Sequence, residues 1–209
     1  MAIDFVHTGE LVDAVISVLK GSGSGHVGGL PSAWFTRTDK EGLQLLEHGD
    51  LADYAGKVMQ ELPAILVRGI GIVSVPARHV GGVIEADELI RVLHVRKYEQ
   101  CYDSDGDREK NQARARERYA KLIGKAIFND PQRRLAVIDS DGARTEVSLT
   151  SDDAAGAQIV QVMFDGWDLG YDIGNINGTD DVRLIRNLDA GIWAIACDVR
   201  VRVRTGGNA

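Results

Sequence analysis

Proline and cysteine are scarce in this 209-residue chain, which has four of the first and two of the second. So few prolines leave no Pro-rich linker. Cys101 and Cys197 are too few for a disulfide framework, and neither belongs to a C-x-x-C pair that would suggest zinc or redox chemistry. Both are expected as buried free thiols. No stretch approaches the roughly 20 apolar residues needed to cross a bilayer. The opening "MAIDFVHTGE" has neither a basic start nor an apolar run of signal-peptide length, so folding in a cytoplasm is the expectation. There the sequon Asn177-Gly178-Thr179 reads as a turn. A basic excess is missing too: 24 Lys and Arg face 31 Asp and Glu, a net charge of −7, which argues against a general nucleic-acid or anionic-membrane binder.

What is present is enough apolar residue, 44% of the chain, to bury a sizeable core. "TGELVDAVISVLKG" carries Leu11, Val12, Val15, Ile16, Val18 and Leu19 at helical spacing, with Thr8 as the N-cap and Gly21 as the stop. A second helix is expected from about Leu51 to Glu61, behind Asp50 and closed by Pro63. "AILVRGIGIVSV" is β-branched and apolar, and its Gly69 and Gly71 suggest a bulge or a close approach of backbone. After a turn at Gly81-Gly82, "ADELIRVLHVRKYEQCY" alternates well enough to pair with it.

A third helix begins after Asp107, a suitable N-cap, and buries Tyr119, Leu122, Ile123, Ala126 and Ile127. "RLAVIDSDGARTEVSLT" reads as a hairpin around Asp141-Gly142, and "AQIVQVMFDGWDLGYDIG" as a strand running into a Gly and Asp loop. In the closing strand Trp193, Ile195, Cys197, Val199, Val201 and Val203 face one way, and Asp198, Arg200, Arg202 and Arg204 the other. Its charged face suits the margin of a sheet. The order is helix, helix, strand, strand, helix, hairpin, strand, strand. It predicts one α/β (α+β) domain over 1–209, with a mixed, mainly antiparallel sheet and helices packed on one face. A Gly/Ser-rich loop and an extended insertion occupy about 21–50.

Few motifs carry chemistry. Gly23-Ser24-Gly25-His26-Val27-Gly28, within "GSGSGHVGG", spells G-x-G-x-x-G but follows a helix instead of a strand. It also lacks the lysine of a phosphate loop, so it reads as a mobile connection leading to Trp34 and Phe35. "DSDGD", Asp103 to Asp107, lacks calcium-loop spacing and reads as a turn plus helix cap. Asp165, Asp168, Asp172, Asp180 and Asp181 are expected as solvated turn residues in a Gly and Asn loop. His7, His26, His48, His79 and His94 are scattered, with His94 a packed or face-exposed strand residue, and no serine sits in a nucleophile elbow. No catalytic, cofactor or metal residue is assigned, and the chain is not expected to be an enzyme.

Charge is unevenly placed. Arg108 to Phe128 holds seven basic residues (Arg108, Lys110, Arg114, Arg116, Arg118, Lys121, Lys125) against two acidic ones (Glu109, Glu117), a local charge of +5 between segments of −7 and −5. A solvated helix face, docking onto an acidic neighbour such as another copy, and a weak approach to nucleic acid are the three readings.

Five segments in this order resemble the tail-terminator family of long-tailed bacteriophages, in particular its Mu-like branch: "GELVDAVISVLK", "LPAILVRGIGIVSV", "LIRVLHVRKYEQ" leading into "RARERYAKLIGKAIF", "LAVIDSDGARTEVSL" and "AIACDVRVRVRT". The resemblance implies a tail-terminator-like sheet flanked by helices, in a virion protein that caps the head-proximal end of the tail tube as a hexameric ring. Such a ring ends tube polymerisation and offers a surface for head or neck attachment. The implied partners are other copies of the chain, the tail tube protein, neck or connector proteins and, in a contractile tail, the sheath protein. No membrane, specific nucleic acid or cofactor is implied. Subunit or tube contacts are expected from Arg108, Lys110, Arg114, Arg118, Lys121, Arg200, Arg202, Arg204, Trp34 and Phe35. The alternatives are another head-to-tail connector or tail-completion protein and, in a different class, a small-molecule-binding enzyme using the glycine loop.

Overall fold

The computed structural model describes residues 7–21, 45–48, 63–78, 83–97, 108–138, 143–149, 157–171 and 192–205. The helix expected at 51–61, the 22–44 part of the glycine loop and insertion, and the turns at 81–82 and 141–142 lie outside them.

Helix α1 (Thr8–Lys20) and helix α2 (Arg108–Ile127) pack against a five-stranded sheet. Its strands are β1 (Leu45–His48), β2 (Ala64–Arg78), β3 (Ile84–Lys97), β6 (Gln158–Tyr171) and β7 (Ile192–Thr205), in the order β1-β2-β3-β7-β6. β1 runs parallel to β2 and every other pairing is antiparallel, the mixed, mainly antiparallel α+β arrangement expected from the sequence. β4 (Ala136–Ile138) and β5 (Arg144–Glu146) form the expected hairpin as a separate two-stranded sheet. β1 falls inside the stretch read from sequence as an insertion, and four of its residues join the sheet.

The alternation of β7 sorts the two faces. Ile195, Cys197, Val199, Val201 and Val203 are buried with Ile65 and Val67 of β2, Ile90 and Val92 of β3, and the apolar stripes of both helices. Each fully buried aliphatic side chain contributes about 1.5–3 kcal/mol to this layer. On α2 the buried residues are Tyr119, Ala120, Ile123, Ala126 and Ile127, with Leu122 half-buried. The opposite face is apolar and buried at one end, through Leu66, Leu93, Val95, Ala194 and Ala196, and charged at the other.

Three expectations are corrected. β7 does not lie at the sheet margin; it runs between β3 and β6, because its charges find counter-charges on neighbouring strands. Thr8 is not the N-cap of α1. His7 holds that position without a side-chain cap bond, and Thr8 is the first helical residue. The acceptor comes from β3: Glu88 takes the His7 backbone N–H on Oε1 at 2.8 Å and the Thr8 hydroxyl on Oε2 at 2.6 Å. A buried carboxylate at a helix N-terminus satisfies an orphan donor and faces the positive end of the helix dipole. Finally, Asp165 and Asp168 lie within strand β6, not in a loop.

Glycine permits this docking. A Cβ on Gly69 would fall 1.7 Å from Thr8 Cγ2, so only a bare backbone lets the start of α1 approach the sheet. The β2–β3 register shifts between Gly69 and Gly71, and Gly71 adopts φ +117°. Both the bulge and the close approach suggested by the sequence are therefore present.

Candidate assembly surface

The cations expected to make contacts fall into two environments. On α2, the expected Arg114, Arg118 and Lys121 are exposed, and Lys125, not among the expected contacts, is exposed beside them. At 100° per residue they span an arc of about 60° and, at 1.5 Å per residue, a stripe roughly 16 Å long, opposite the buried stripe of the same helix. None has an ion-pair partner among the described residues, and the one acidic residue beside them is the exposed Glu117. Arg108 and Lys110 lie in the first turns of α2. The helix forms because its residues are mostly strong helix formers, with a single glycine, Gly124, set against Trp167.

On β7 the arginines are already engaged. Arg204 stands opposite Glu85 in the β3–β7 register and donates to its Oε1 at 2.6 Å. Arg202 stands opposite Asp87 and grips both of its carboxylate oxygens, at 2.7 and 3.1 Å. Arg91 does the same to Asp198, at 2.7 Å to each oxygen. Arg200, opposite the apolar Leu89, turns the other way and reaches Asp165 on β6 at 2.5 Å. The Asp87 carboxylate, in turn, raises the pKa of Arg202 through its hydrogen bonds, outweighing the opposing effect of burial. A two-residue slip of β3 against β7 would keep every side chain on its face yet set Arg91 against Arg200 in one direction, or against Ala196, with Asp198 against Leu89, in the other. The charges thus select among registers that apolar alternation leaves equivalent.

A third cationic setting lies beneath α2. Arg96 is fully buried, its guanidinium 3.9 Å from the centre of the Tyr119 ring, and its Nε donates to His94 Nε2 at 2.8 Å. That bond requires His94 to be neutral at Nε2. Burial first, and the Arg96 charge second, hold the His94 pKa well below its ordinary value. His94 is thus the packed residue of the two options left open by the sequence.

Asp130, just after α2, ties the hairpin down. Burial pushes its carboxyl up, but hydrogen bonds from Arg144 and from the Arg134 and Gln132 backbones, with the Arg144 charge, hold it below the usual range. The Val147 N–H to Leu135 carbonyl and Val162 N–H to Arg133 carbonyl bonds fix the adjoining backbone. Cys197 is a buried free thiol, its pKa pushed up to about 12 by burial and then by Asp198. It is no nucleophile near neutral pH. Among the described residues no group of three or more His, Cys, Asp and Glu could hold a metal ion.

Trp34, Phe35, Cys101 and the Asp103–Asp107 run lie outside the described residues, as do Asp172, Asp180, Asp181, His26 and His79. Sequence reading did not single out Glu85, Asp87, Glu88, Arg91 or Arg96. The alternation of Glu85, Asp87 and Arg91 against Arg204, Arg202 and Asp198 was the available signal, once β3 and β7 are set side by side. No protein-family model and no curated protein matches the chain.

Proposed function

We propose that the chain is a structural phage virion protein that caps the head-proximal end of the tail tube as a ring of identical subunits, ending tube polymerisation and presenting a surface to head or neck proteins. The observation that carries the assembly part of this reading is the α2 stripe. Four exposed cations with no ion-pair partner among the described residues stand on a chain of net charge −7, so a second copy or another acidic assembly partner supplies what the stripe lacks. The arrangement of helices on one face of a mainly antiparallel sheet agrees with the fold that the resemblance implies. The role is binding and geometry, without turnover. Another head-to-tail connector or tail-completion protein is the nearest alternative, and it shares the same surface.

The test is mass photometry of the purified chain with and without tail tubes, over a salt series. Wild-type protein gives a ring mass or decorates tube ends. Arg114→Glu/Arg118→Glu weakens assembly on the order of tenfold at low salt, with a smaller difference at high salt. An unchanged particle mass in the variant counts against the stripe, and a subunit mass with no tube binding counts against the whole reading.

A further inference from the structure

The cation stripe of α2 ends on aromatic side chains. Phe128 follows Ile127 in the same helical sense, its N–H bonded to the Gly124 carbonyl at 2.9 Å. Seven residues beyond Lys121, it lies within about 20° of that lysine around the helix and about 21 Å from Arg114 along it. The Phe128 ring meets Phe164 of β6 edge-on at 6.0 Å between centroids, and Phe164 lies 6.0 Å from Trp167. Trp167 in turn lies against Gly124 of α2. Phe164 stands opposite the buried Val199, on the core-facing side of β6, yet is 51% exposed. A solvated charged face has no need of a half-exposed aromatic group at its end, whereas arginine beside aromatic rings is the composition of protein interfaces.

Four cations, Arg114, Arg118, Lys121 and Lys125, against Glu117 leave this surface three positive charges in excess. Among the described residues little acid is left to meet them. Glu146 and Asp165 hold arginines, Asp168 is engaged, and Asp13 is a single charge on α1. Outside the described residues one run stands out in the sequence: "YEQCYDSDGD", 98–107, carries Glu99, Asp103, Asp105 and Asp107 with no Lys or Arg. The stretch 172–191 also has four acids, but Arg183 and Arg186 offset two of them. With Asp107 expected to cap α2, Glu99, Asp103 and Asp105 supply three carboxylates for the three excess charges. From Glu99 to Asp105 a chain reaches up to about 20 Å, enough to lie along a stripe of roughly 16 Å. Laid antiparallel to α2, such a run brings Glu99 to Lys125 and Asp105 to Arg114, with Tyr98 at the aromatic end.

We propose that the α2 stripe and its aromatic end hold the acidic run 98–107 of a second copy of this chain. A subunit's own run is tethered away from part of this surface. It starts after Arg96 and Lys97, and Arg96 lies beneath α2 against Tyr119. From there it leads to Arg108, away from Lys125 and Phe128, which come six and nine residues after Tyr119. A neighbour's run has no such tether. Each copy gives its run to one neighbour and its stripe to another, a heterologous contact that closes into a ring when the rotation between copies allows. The inference deepens the ring reading by naming both sides of the contact, and it rests on that reading for the closure.

The test compares three full-length proteins by mass photometry over a concentration series at low salt: wild type, Asp103→Lys/Asp105→Lys in the run, and Arg118→Glu/Lys121→Glu in the stripe. Each variant is expected to need on the order of tenfold more protein to assemble. An equimolar mixture of the two is expected to return to wild-type assembly, because every stripe then finds a run of opposite charge on the other variant. Phe164→Ala is expected to weaken assembly roughly threefold, through the aromatic end. A wild-type melting curve is the condition for using a variant, with Arg114→Glu/Arg118→Glu as the second substitution in the stripe. Either charge variant assembling as wild type does overturns the inference and leaves the ring reading standing. If it is the run variant, labelled oligo-dT bound by wild type and not by the stripe variant would assign the stripe to nucleic acid instead. A mixture that stays weak also overturns the inference, and recovery in one chain with all four substitutions would then place the contact within the subunit. Pairs or open chains in wild type that both variants dissolve and the mixture restores support the contact and overturn the ring. Wild type at subunit mass throughout overturns both.

Discussion

The arginines of β7 and those of α2 are the same side chain in opposite circumstances. On β7, Arg200, Arg202 and Arg204 each hold a carboxylate of a neighbouring strand. On α2, Arg114 and Arg118 stand exposed with no ion-pair partner among the described residues. Both segments look basic in one dimension. The difference teaches that a run of cations marks an interaction surface only where the fold has not already neutralised it, and that the α2 stripe is the better candidate for contact with another molecule.

The sharpest way to break this comparison is Asp87→Ala. The Asp87 side chain is 4% exposed and that of Arg202 28%, so removing the acceptor leaves a largely covered guanidinium unpaired. The expected loss is about 2–3 kcal/mol in urea unfolding, less than for a fully buried pair because Arg202 retains some contact with water. Arg118→Ala in the same assay is expected to stay within about 0.5 kcal/mol of wild type. Equal losses would erase the distinction.

His94 sharpens the comparison through the third setting, the buried Arg96. Its pKa is lowered in the folded state, so the native protein binds fewer protons than the unfolded chain. The associated stability is complete above the unfolded value of about 6.5 and is lost as pH falls below it, by up to about 1.4 kcal/mol per pH unit. His94→Gln is expected to be less stable at pH 8 but flatter between pH 7 and 5 in thermal melts; a parallel pair of curves would remove His94 as the source. Within the ladder the smaller effect is expected from Glu85→Ala, about 1 kcal/mol or less, because its partner Arg204 is 47% exposed. A loss matching that of Asp87→Ala would show that exposure does not grade the ladder.

The elements themselves were largely legible. The period of Leu11, Val12, Val15, Ile16, Val18 and Leu19 gave α1, and strict alternation gave the faces of β7, since both patterns follow from local backbone geometry. Gly69 and Gly71 stood out because a glycine inside a β-branched run has few reasons to be there. The misreadings share one cause. Thr8 looked like a cap because caps are usually local, yet its hydroxyl is bonded to Glu88, eighty positions away in the chain. Asp165 and Asp168 looked like turn residues because glycines flank them, yet bulges let β6 carry them within a strand. Of the surface residues, α2 could be named from charge alone, whereas the exposure of Ile70, Val73 and Leu169 was not legible within runs that read as strand.

By itself the sequence determined which residues turn inward within each helix and strand, and that the chain folds as an α+β arrangement with an acidic body and one basic helix. Only the tertiary structure decided that β7 lies inside the sheet and that its arginines are neutralised at home. Periodicity is local, a property of 3.6 residues per turn or of a two-residue pleat. Strand order and counter-charge depend instead on pairs such as Asp87 and Arg202, 115 positions apart, whose meeting is set by packing of the whole chain.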